Sequence, residues 1–421
     1  MIKIIRILTF LAFPSLLSAQ VLSVSLEECR TSAKENWPTF KKMAYQQENR
    51  ELVNKTLNKN YLPKLTLSGS ATYQSEVVEF PVVPGMSDLF PTFPNDNYRA
   101  DLQLTQVIYD GGGTSSVKDF QQATNTLEES KIEIENYNFM EQINKLYLNI
   151  LLLEQNEVIL LTAKSEIEEN IKILQSAYDN GMILVSELNK VKAEQINIEK
   201  QIQNTATSKL NLVQSLALLS SLDISPETSF KTPGETAGTM TTLPQLKAFQ
   251  AQEDLNSASV ETQFRNKFPK LFLFANGGFG RPGYNFMNTD LHAYGMVGIK
   301  FSWDVIDWGT YGTQKEKSEV KQKLIEANKE AFVKQNSLEI QKANNNIANL
   351  ENQITMDQEI IKIKEDIKNS SWSKFQNGTI TSNEYLKDFN DLKKSQQSLE
   401  INKIQLIQKK LELEHLKGVE Y

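Results

Sequence analysis

The sequence has little cysteine and histidine, which limits the disulfides, metal sites and catalytic groups that it predicts. Its 421 residues include one cysteine, Cys29, and two histidines, His292 and His415. A single cysteine cannot form an internal disulfide, so an exported chain of this size must be held together by a large packed interface. Neither histidine has a second histidine or cysteine near it, and no metal site, histidine-based triad or cofactor is predicted.

Catalytic motifs are also missing from the sequence. The glycine-rich stretch GGGTSS has no Lys-Ser/Thr in the register of a phosphate-binding loop. No nucleophile and base stand in a recognisable pattern. The sequence therefore does not predict an enzyme.

Long apolar runs and basic blocks are absent after the first residues. Lys3 and Arg6, an apolar stretch and small residues before Gln20 indicate a secretory signal peptide over 1–19. Removing the two cations changes the formal charge from −7 to −9, with acids and bases intermixed, so a nucleic-acid partner is not predicted. The most apolar later stretch, 146–163, is interrupted by EQNE, and no transmembrane helix is predicted.

The chain contains an internal repeat. Pro38 and Pro63 recur 206 residues later as Pro244 and Pro269. Further along the offset is 197, and the matched pairs are Asp110 with Asp307, Gly112 with Gly309, Asn180 with Asn377, Gly181 with Gly378, and Glu187 with Glu384. Because 69 residues separate the Asp-x-Gly glycine from the Asn-Gly glycine in both halves, long helices of equal length are predicted.

Each half is predicted to run helix, strand, strand, long helix, turn, long helix. Ser25 and Glu28 form a capping box that opens the first helix, and Pro63 closes it. Period-two alternation predicts strands at about 64–75 and 98–109, then at about 270–280 and 292–304. Helical hairpins are predicted at about 113–221 and about 311–418, the first with a coiled-coil seam from Ile143 to Tyr178.

The predicted domain organisation follows the repeat. It consists of a signal peptide (1–19), a first repeat (20–221), a linker or equatorial segment (222–242) and a second repeat (243–421). Loop 76–97, which carries four prolines, is predicted to be the longer outer loop.

The strands have the length and alternation of transmembrane β-strands, which need roughly 9–11 residues each. Four strands cannot close a barrel, and open sheet edges do not occur in lipid. The predicted fold class is therefore an α+β membrane protein with two structural repeats, whose strands close through other subunits.

The chain resembles the TolC-type outer-membrane efflux proteins. The resemblance rests on SLEECRTSAKENWP as the opening helix, YLPKLTLSG and KFPKLFLFA as entries into strands, and IYDGGG and VIDWGT as exits. It implies a homotrimer whose twelve strands form an outer-membrane β-barrel that is continuous with a twelve-helix periplasmic α-barrel. The implied partners are a periplasmic adaptor protein, an inner-membrane pump of proton-driven or ABC type, and outer-membrane lipid.

The resemblance also assigns roles to the repeated turn residues. It places Asn180, Gly181, Asn377 and Gly378 at periplasmic tips that contact the adaptor, and Glu187 and Glu384 in the constriction that closes the tunnel. The alternative is that both glutamates are solvated surface charges.

Six such carboxylates in a trimer would raise the pKa of some of them and attract cations. The chain departs from the family in having Lys387 where a second acid is common, and Leu184 and Ile380 supply no charge near the turns.

Two further sites are predicted where a strand becomes a helix. Asp110 with Gly112, and Asp307 with Gly309, combine a capping carboxylate with a flexible glycine.

The predicted function is an outer-membrane exit channel that carries small molecules from an inner-membrane pump and a periplasmic adaptor to the exterior. The alternative is the outer-membrane component of type I protein secretion, which uses the same fold. A secreted coiled-coil structural protein or adhesin is a rival of another class, and it predicts helix without barrel strands.

Overall fold

The computed structural model describes residues 23–79, 91–234 and 239–420. The signal peptide, part of loop 76–97 and residues 235–238 of the linker lie outside the described residues. The described residues fold as two compact units, one made of residues 23–37, 138–234, 239–241 and 339–420, the other of residues 38–79, 91–137 and 242–338.

The helices and strands alternate along the chain in two similar halves. The helices are α1 (Leu26–Asn36), α2 (Pro38–Asn58), α3 (Gly113–Asp179), α4 (Val185–Ser220), α5 (Pro244–Arg265), α6 (Thr310–Gln376) and α7 (Ser382–Leu416). The strands are β1 (Ser23–Val24), β2 (Lys64–Tyr73), β3 (Asp96–Tyr109), β4 (Ser229–Phe230), β5 (Thr239–Met240), β6 (Lys270–Arg281), β7 (His292–Ser302) and β8 (Val419–Glu420). Helices α3 and α6 have 67 residues each, about 100 Å at 1.5 Å per residue.

The first predicted helix is interrupted in the structure. The capping box is confirmed, because Glu28 N–H donates to Ser25 Oγ at 3.2 Å and Ser25 N–H to Glu28 Oε2 at 2.7 Å. Helix α1 then ends at Asn36, and Trp37 is extended with φ −69° and ψ 130°. The residue before a proline is driven out of the α region, so Pro38 starts a second helix.

The linker contributes two strands to the first unit. Strand β4 pairs in parallel with β1, and β5 pairs antiparallel with β8. Tyr147 of α3 packs beneath the first pair, since its hydroxyl, with one proton to donate, lies 2.8 Å from the carbonyl oxygen of Val24 and 2.7 Å from that of Lys231. Its ring meets Phe230 edge to face. The linker is thereby fixed to the chain's first strand and to α3.

The most apolar stretch of α3 lies beside Tyr147. Within the described residues, α3 is the one helix that is long and apolar enough to cross a membrane, by length and composition alone. Ile143, Tyr147, Ile150 and Leu151 of this helix are instead buried in the first unit.

The second unit contains an antiparallel sheet in the order β2-β3-β6-β7. The register brings apolar residues of all four strands onto one face: Leu65, Leu67, Leu102, Leu104, Leu273, Ala275, Val297 and Ile299. The opposite face carries Ser68, Asp101 and Tyr294, whose hydroxyl donates to Asp101 Oδ1 at 2.6 Å across Gly278. A Cβ on Gly278 would meet Asp101 Oδ1 at 2.7 Å, so this polar contact depends on glycine.

The sheet is open at both sides. Strands β2 and β7 pair on one side only within the part of the chain that the structure describes. Leu67 of β2 and Ile299 of β7 have 77% and 69% of their surface exposed. The sheet therefore combines an exposed apolar face with two unpaired edges.

Candidate functional site at the interhelical turns

The two Asn-Gly turns of the first unit have the same backbone geometry. Gly181 and Gly378 adopt φ 70° and 69°. Gly181 N–H donates to Tyr178 O at 2.8 Å, and Gly378 N–H donates to Phe375 O at 2.9 Å. The following amides, of Met182 and Thr379, donate five residues back at 2.8 and 3.0 Å. Both turns are Schellman motifs, which place glycine in the left-handed region and satisfy the last helical carbonyls.

The asparagine before each glycine completes the motif. Asn180 Nδ2 donates to Ser176 O, and Asn377 Nδ2 donates to Ser373 O, both at 2.8 Å. Asn-Gly thus recurs because the two long helices end in the same way. The backbone hydrogen bonds of the motif need the glycine, and the side-chain hydrogen bond needs the asparagine amide.

The starts of the next helices differ between the repeats. Thr381 is the N-cap of α7 and forms a capping box, in which Glu384 N–H donates to Thr381 Oγ1 at 3.4 Å and Thr381 N–H donates to Glu384 Oε2 at 3.0 Å. The N-cap position of α4 is Leu184, whose side chain cannot accept a hydrogen bond from the helix. Glu384 therefore caps its own helix, while Glu187 has no hydroxyl partner at the equivalent position.

Glu187 instead reaches the other helical hairpin. Its Oε2 accepts the backbone N–H of Ser382, the first residue of α7, at 2.8 Å. Its Oε1 lies 3.0 Å from Lys190 Nζ, and 21% of its side chain is exposed. The carboxylate thus accepts a hydrogen bond from Ser382 N–H and also lies at the positive end of the α7 dipole.

The surroundings of Glu187 lower its pKa. Hydrogen bonding from Ser382 lowers it most, burial raises it, and Lys190 lowers it further. The sequence predicts that like charges in a trimer raise the pKa of some of the six acids, and one chain does not test this. Within one chain the hydrogen bonds to the ionised carboxylate dominate for Glu187.

An aromatic cluster lies next to the two turns. Tyr385 of α7 is fully buried, stacks on Phe375 at 5.8 Å between ring centroids, and contacts Phe389. Asn170 of α3 donates to the Tyr385 hydroxyl at 2.6 Å. The cluster therefore joins α3, α6 and α7 through one buried tyrosine.

Ion pairs continue this connection away from the turns. Lys368 Nζ lies 2.7 Å from Glu166 Oε1, which links α6 to α3, and Lys393 Nζ lies 3.4 Å from Glu194 Oε1, which links α7 to α4. With the Glu187 contact, these bonds hold the two hairpins of one chain together.

A groove of about 520 Å³ opens beside the first turn. Its apolar lining includes Ile173, Met182, Ile183 and Phe375. Met182 is 70% exposed, so the groove presents apolar surface at the very end of the hairpin.

At each strand-to-helix transition of the second unit, an aspartate accepts hydrogen bonds from two backbone N–H groups. Asp110 accepts from Gly112 N–H at 3.0 Å and Thr114 N–H at 2.7 Å, and Asp307 accepts from Gly309 N–H at 3.1 Å and Tyr311 N–H at 3.3 Å. Gly112 and Gly309 have φ 82° and 76°. Each aspartate caps the start of a long helix.

Both capping aspartates have a lowered pKa. Burial raises the pKa of Asp110, but the hydrogen bonds from Thr114 and Gly112 together lower it more. The Gly309 amide is the largest cause for Asp307, ahead of burial, which opposes it.

Sequence reasoning missed Thr381 and Ser382 at the turns. The signal for Thr381 is present in the sequence, since Thr-x-x-Glu at 381–384 is a capping-box pattern. Ser382 participates through its backbone N–H, which no residue pattern reveals.

The turn glycines lead to a prediction about the end of the second hairpin. Replacing Gly378 with alanine adds a Cβ that meets nothing within 4 Å, so only the left-handed backbone opposes it, at about 1–2 kcal/mol. We expect faster hydrogen exchange of the amides around this turn. The control is Gly312→Ala, whose new Cβ also meets nothing within 4 Å. Gly312 lies in α6, where alanine is favoured over glycine by about 1 kcal/mol. Equal exchange at the turn in wild type and Gly378→Ala would contradict this.

The chain is similar to known outer-membrane proteins both in sequence and in structure. The family described as "Outer membrane efflux protein" matches residues 242–419. The structure is similar to that of the outer membrane protein VceC from Vibrio cholerae, with a TM-score of 0.70 and 17% identity over 94% of this chain and 96% of that chain. No curated protein matches the chain by sequence.

Two further channels share the fold. For the CmeC outer membrane channel of Campylobacter jejuni, the TM-score is 0.72 at 15% identity over 93% of this chain and 85% of that one. For the open state of the MtrE outer membrane channel of Neisseria gonorrhoeae, the values are 0.68 and 12% over 94% and 89%.

Long paired helices joined to an amphipathic four-stranded sheet thus define the outer-membrane channel fold. Residues 242–419 match the outer membrane efflux protein family, and over 93–94% of its length the chain has the fold of VceC, CmeC and MtrE. Two of these structural relatives, CmeC and MtrE, are described as outer membrane channels.

Proposed function

We propose that the protein is the exit channel of a tripartite efflux system and works as a homotrimer. The observation that carries the proposal is the sheet, whose apolar residues share one face while both edges stay unpaired. Backbone groups at a sheet edge cannot face lipid, so strands of other copies must pair with β2 and β7. Three copies supply twelve strands and twelve long helices, and the helices extend into the periplasm.

The interhelical turns are the proposed place of closure and of adaptor docking. Glu187 and Ser382 hold the two hairpins of each chain together in the resting state. The apolar groove around Met182, next to the Asn180-Gly181 turn, offers the adaptor a contact surface, and Asn377-Gly378 presents the matching turn of the second repeat.

Type I protein secretion is the second candidate function. Outer-membrane proteins of that system use the same fold, so the inner-membrane partner distinguishes the two. A proton-driven pump with its adaptor supports efflux of small molecules, whereas an ABC exporter favours secretion.

Partner capture in the native cell tests the proposal. The tagged protein is crosslinked in living cells, purified from the membrane, and its partners are identified by mass spectrometry. We expect an adaptor and an inner-membrane pump. Met182→Asp should reduce their recovery several-fold, because a desolvated charge opposes docking.

A matched variant controls for the loss of an exposed methionine. Met240 of β5 is 72% exposed, close to the 70% of Met182, and Met240→Asp should leave recovery unchanged. Absence of any inner-membrane partner from the wild-type sample would contradict the tripartite role.

A further inference from the structure

The first turns of α6 carry lysines that face a groove. Lys315, Lys317 and Lys321 line a cavity of about 180 Å³ between α5 and α6, all within the second unit. None of the three forms an ion pair with a carboxylate in the part of the chain that the structure describes. Their charges are therefore available to a ligand.

The rest of the groove is suited to an anion. Its other lining residues are polar or neutral and include Ser259, Gln263, Tyr311 and Ser318, with no aspartate or glutamate among them. Asn256 Nδ2 donates to Ser318 O at 3.0 Å and fixes α5 against α6. A phosphate group would find three ammonium groups and several neutral donors.

An exposed apolar segment leads into this helix from the sheet. Between β7 and α6, Trp303, Val305, Ile306 and Trp308 are all exposed, Trp308 at 91%. Tryptophan is enriched where a membrane meets water. Lys315 lies five residues after Thr310, the start of α6, about 8 Å along the helix axis. The groove is thus at the depth of lipid headgroups if the segment lies at the membrane surface.

Trp308 adds an independent observation. Its φ is 52°, a left-handed conformation that strains a bulky L-residue. The equivalent residue of the first repeat is Gly111, with φ 70°, which adopts this region freely. Because the Trp308 ring has almost no contacts in its own chain, nothing there offsets this strain, whereas insertion of the ring into the membrane interface would offset it.

We propose that the groove binds the phosphate of an anionic phospholipid headgroup, with Trp303 and Trp308 anchoring the same chain segment at the membrane surface. The proposal rests on the proposed placement of α6 on the periplasmic side, which makes the inner leaflet the source of the lipid. Each lysine close to an anionic surface contributes roughly fivefold to affinity.

Lipid binding to the full-length assembled protein tests this proposal without any transport assay. Native mass spectrometry measures how many phosphatidylglycerol or phosphatidylcholine molecules stay bound. We expect phosphatidylglycerol to be retained preferentially, and Lys315→Gln with Lys321→Gln to weaken its binding by roughly 25-fold. The control is Lys323→Gln with Lys362→Gln, two exposed lysines of α6 that do not line the groove, and it should bind as wild type does.

Each other outcome overturns the proposal. Equal retention of the two lipids, or equal loss in both double variants, would mean that no specific site exists. If inorganic phosphate competes as well as phosphatidylglycerol, the groove is a free-anion site. If the Lys315→Gln, Lys321→Gln double variant no longer forms a trimer but its monomers still bind the lipid, the groove is an interface between copies. All four outcomes are measured without transport, so none of them depends on the pump.

Discussion

Leu67→Lys is expected to abolish assembly of the channel. Leu67 lies near the middle of β2, on the apolar face, opposite Leu102. A lysine at the centre of the lipid-facing surface of a β-barrel costs about 2–4 kcal/mol, and a trimer would carry three of them. We expect monomer or aggregate in place of trimer when mass is measured in mild detergent, and loss of heat-modifiable migration.

The neighbouring residue provides the control for this change. Ser68 is on the opposite face of the same strand, and its partner across the sheet is Asp101. A lysine at position 68 would face the polar side, next to a carboxylate, so Ser68→Lys should assemble as wild type does. Assembly of Leu67→Lys and failure of Ser68→Lys would reverse the assignment of the two faces. Equal assembly of both would remove the basis for a membrane-embedded sheet.

Much of the fold could be predicted from the sequence because the repeat is recorded at chemically distinctive residues. The Asp-x-Gly and Asn-Gly glycines mark left-handed turns, and their equal spacing gives α3 and α6 the same length. The strand residues alternate between apolar and polar, since one face meets a different environment. Such patterns depend on neighbours in the chain and can be recognised without a structure.

The contacts between the hairpins could not be predicted in the same way. The proposed coiled-coil seam included Tyr178, which is 40% exposed, and omitted Ala163 and Asn170, which are buried. Asn170 is buried because the Tyr385 hydroxyl, 215 residues later, accepts its hydrogen bond. An apolar frame cannot detect a polar residue whose partner lies in another helix.

The two glutamates show the same limit at the candidate site. The repeat makes Glu187 and Glu384 equivalent by position, but Thr381 and Leu184 precede them. Thr381 engages Glu384 in a local cap, and Leu184 leaves Glu187 able to reach α7. A single difference three residues upstream therefore separates a capping residue from one that joins two hairpins.

Glu187→Ala is expected to open the resting channel. The substitution removes a charge-assisted hydrogen bond to Ser382 N–H and leaves the amino end of α7 without its partner on α4. A hydrogen bond to a charged group contributes about 1.5–3 kcal/mol, so the closed state should lose roughly 10- to 150-fold in population per chain. In planar bilayers we expect higher resting conductance at neutral pH. In the double variant with Glu384→Ala, we also expect weaker cation selectivity and weaker block by multivalent cations.

Acid should have the same effect on the wild-type channel. Because the folded-state pKa of Glu187 is lowered, its contribution to closure is complete at neutral pH and is lost only as the pH falls through that lowered pKa, which lies below the ordinary range of a glutamate. Glu187→Ala should lack this transition. Glu384→Ala is the matched control, because it removes the same side chain from the equivalent turn but breaks only the cap within α7. If Glu384→Ala raises resting conductance as much as Glu187→Ala does, or if neither does, the contact between the hairpins does not hold the channel closed.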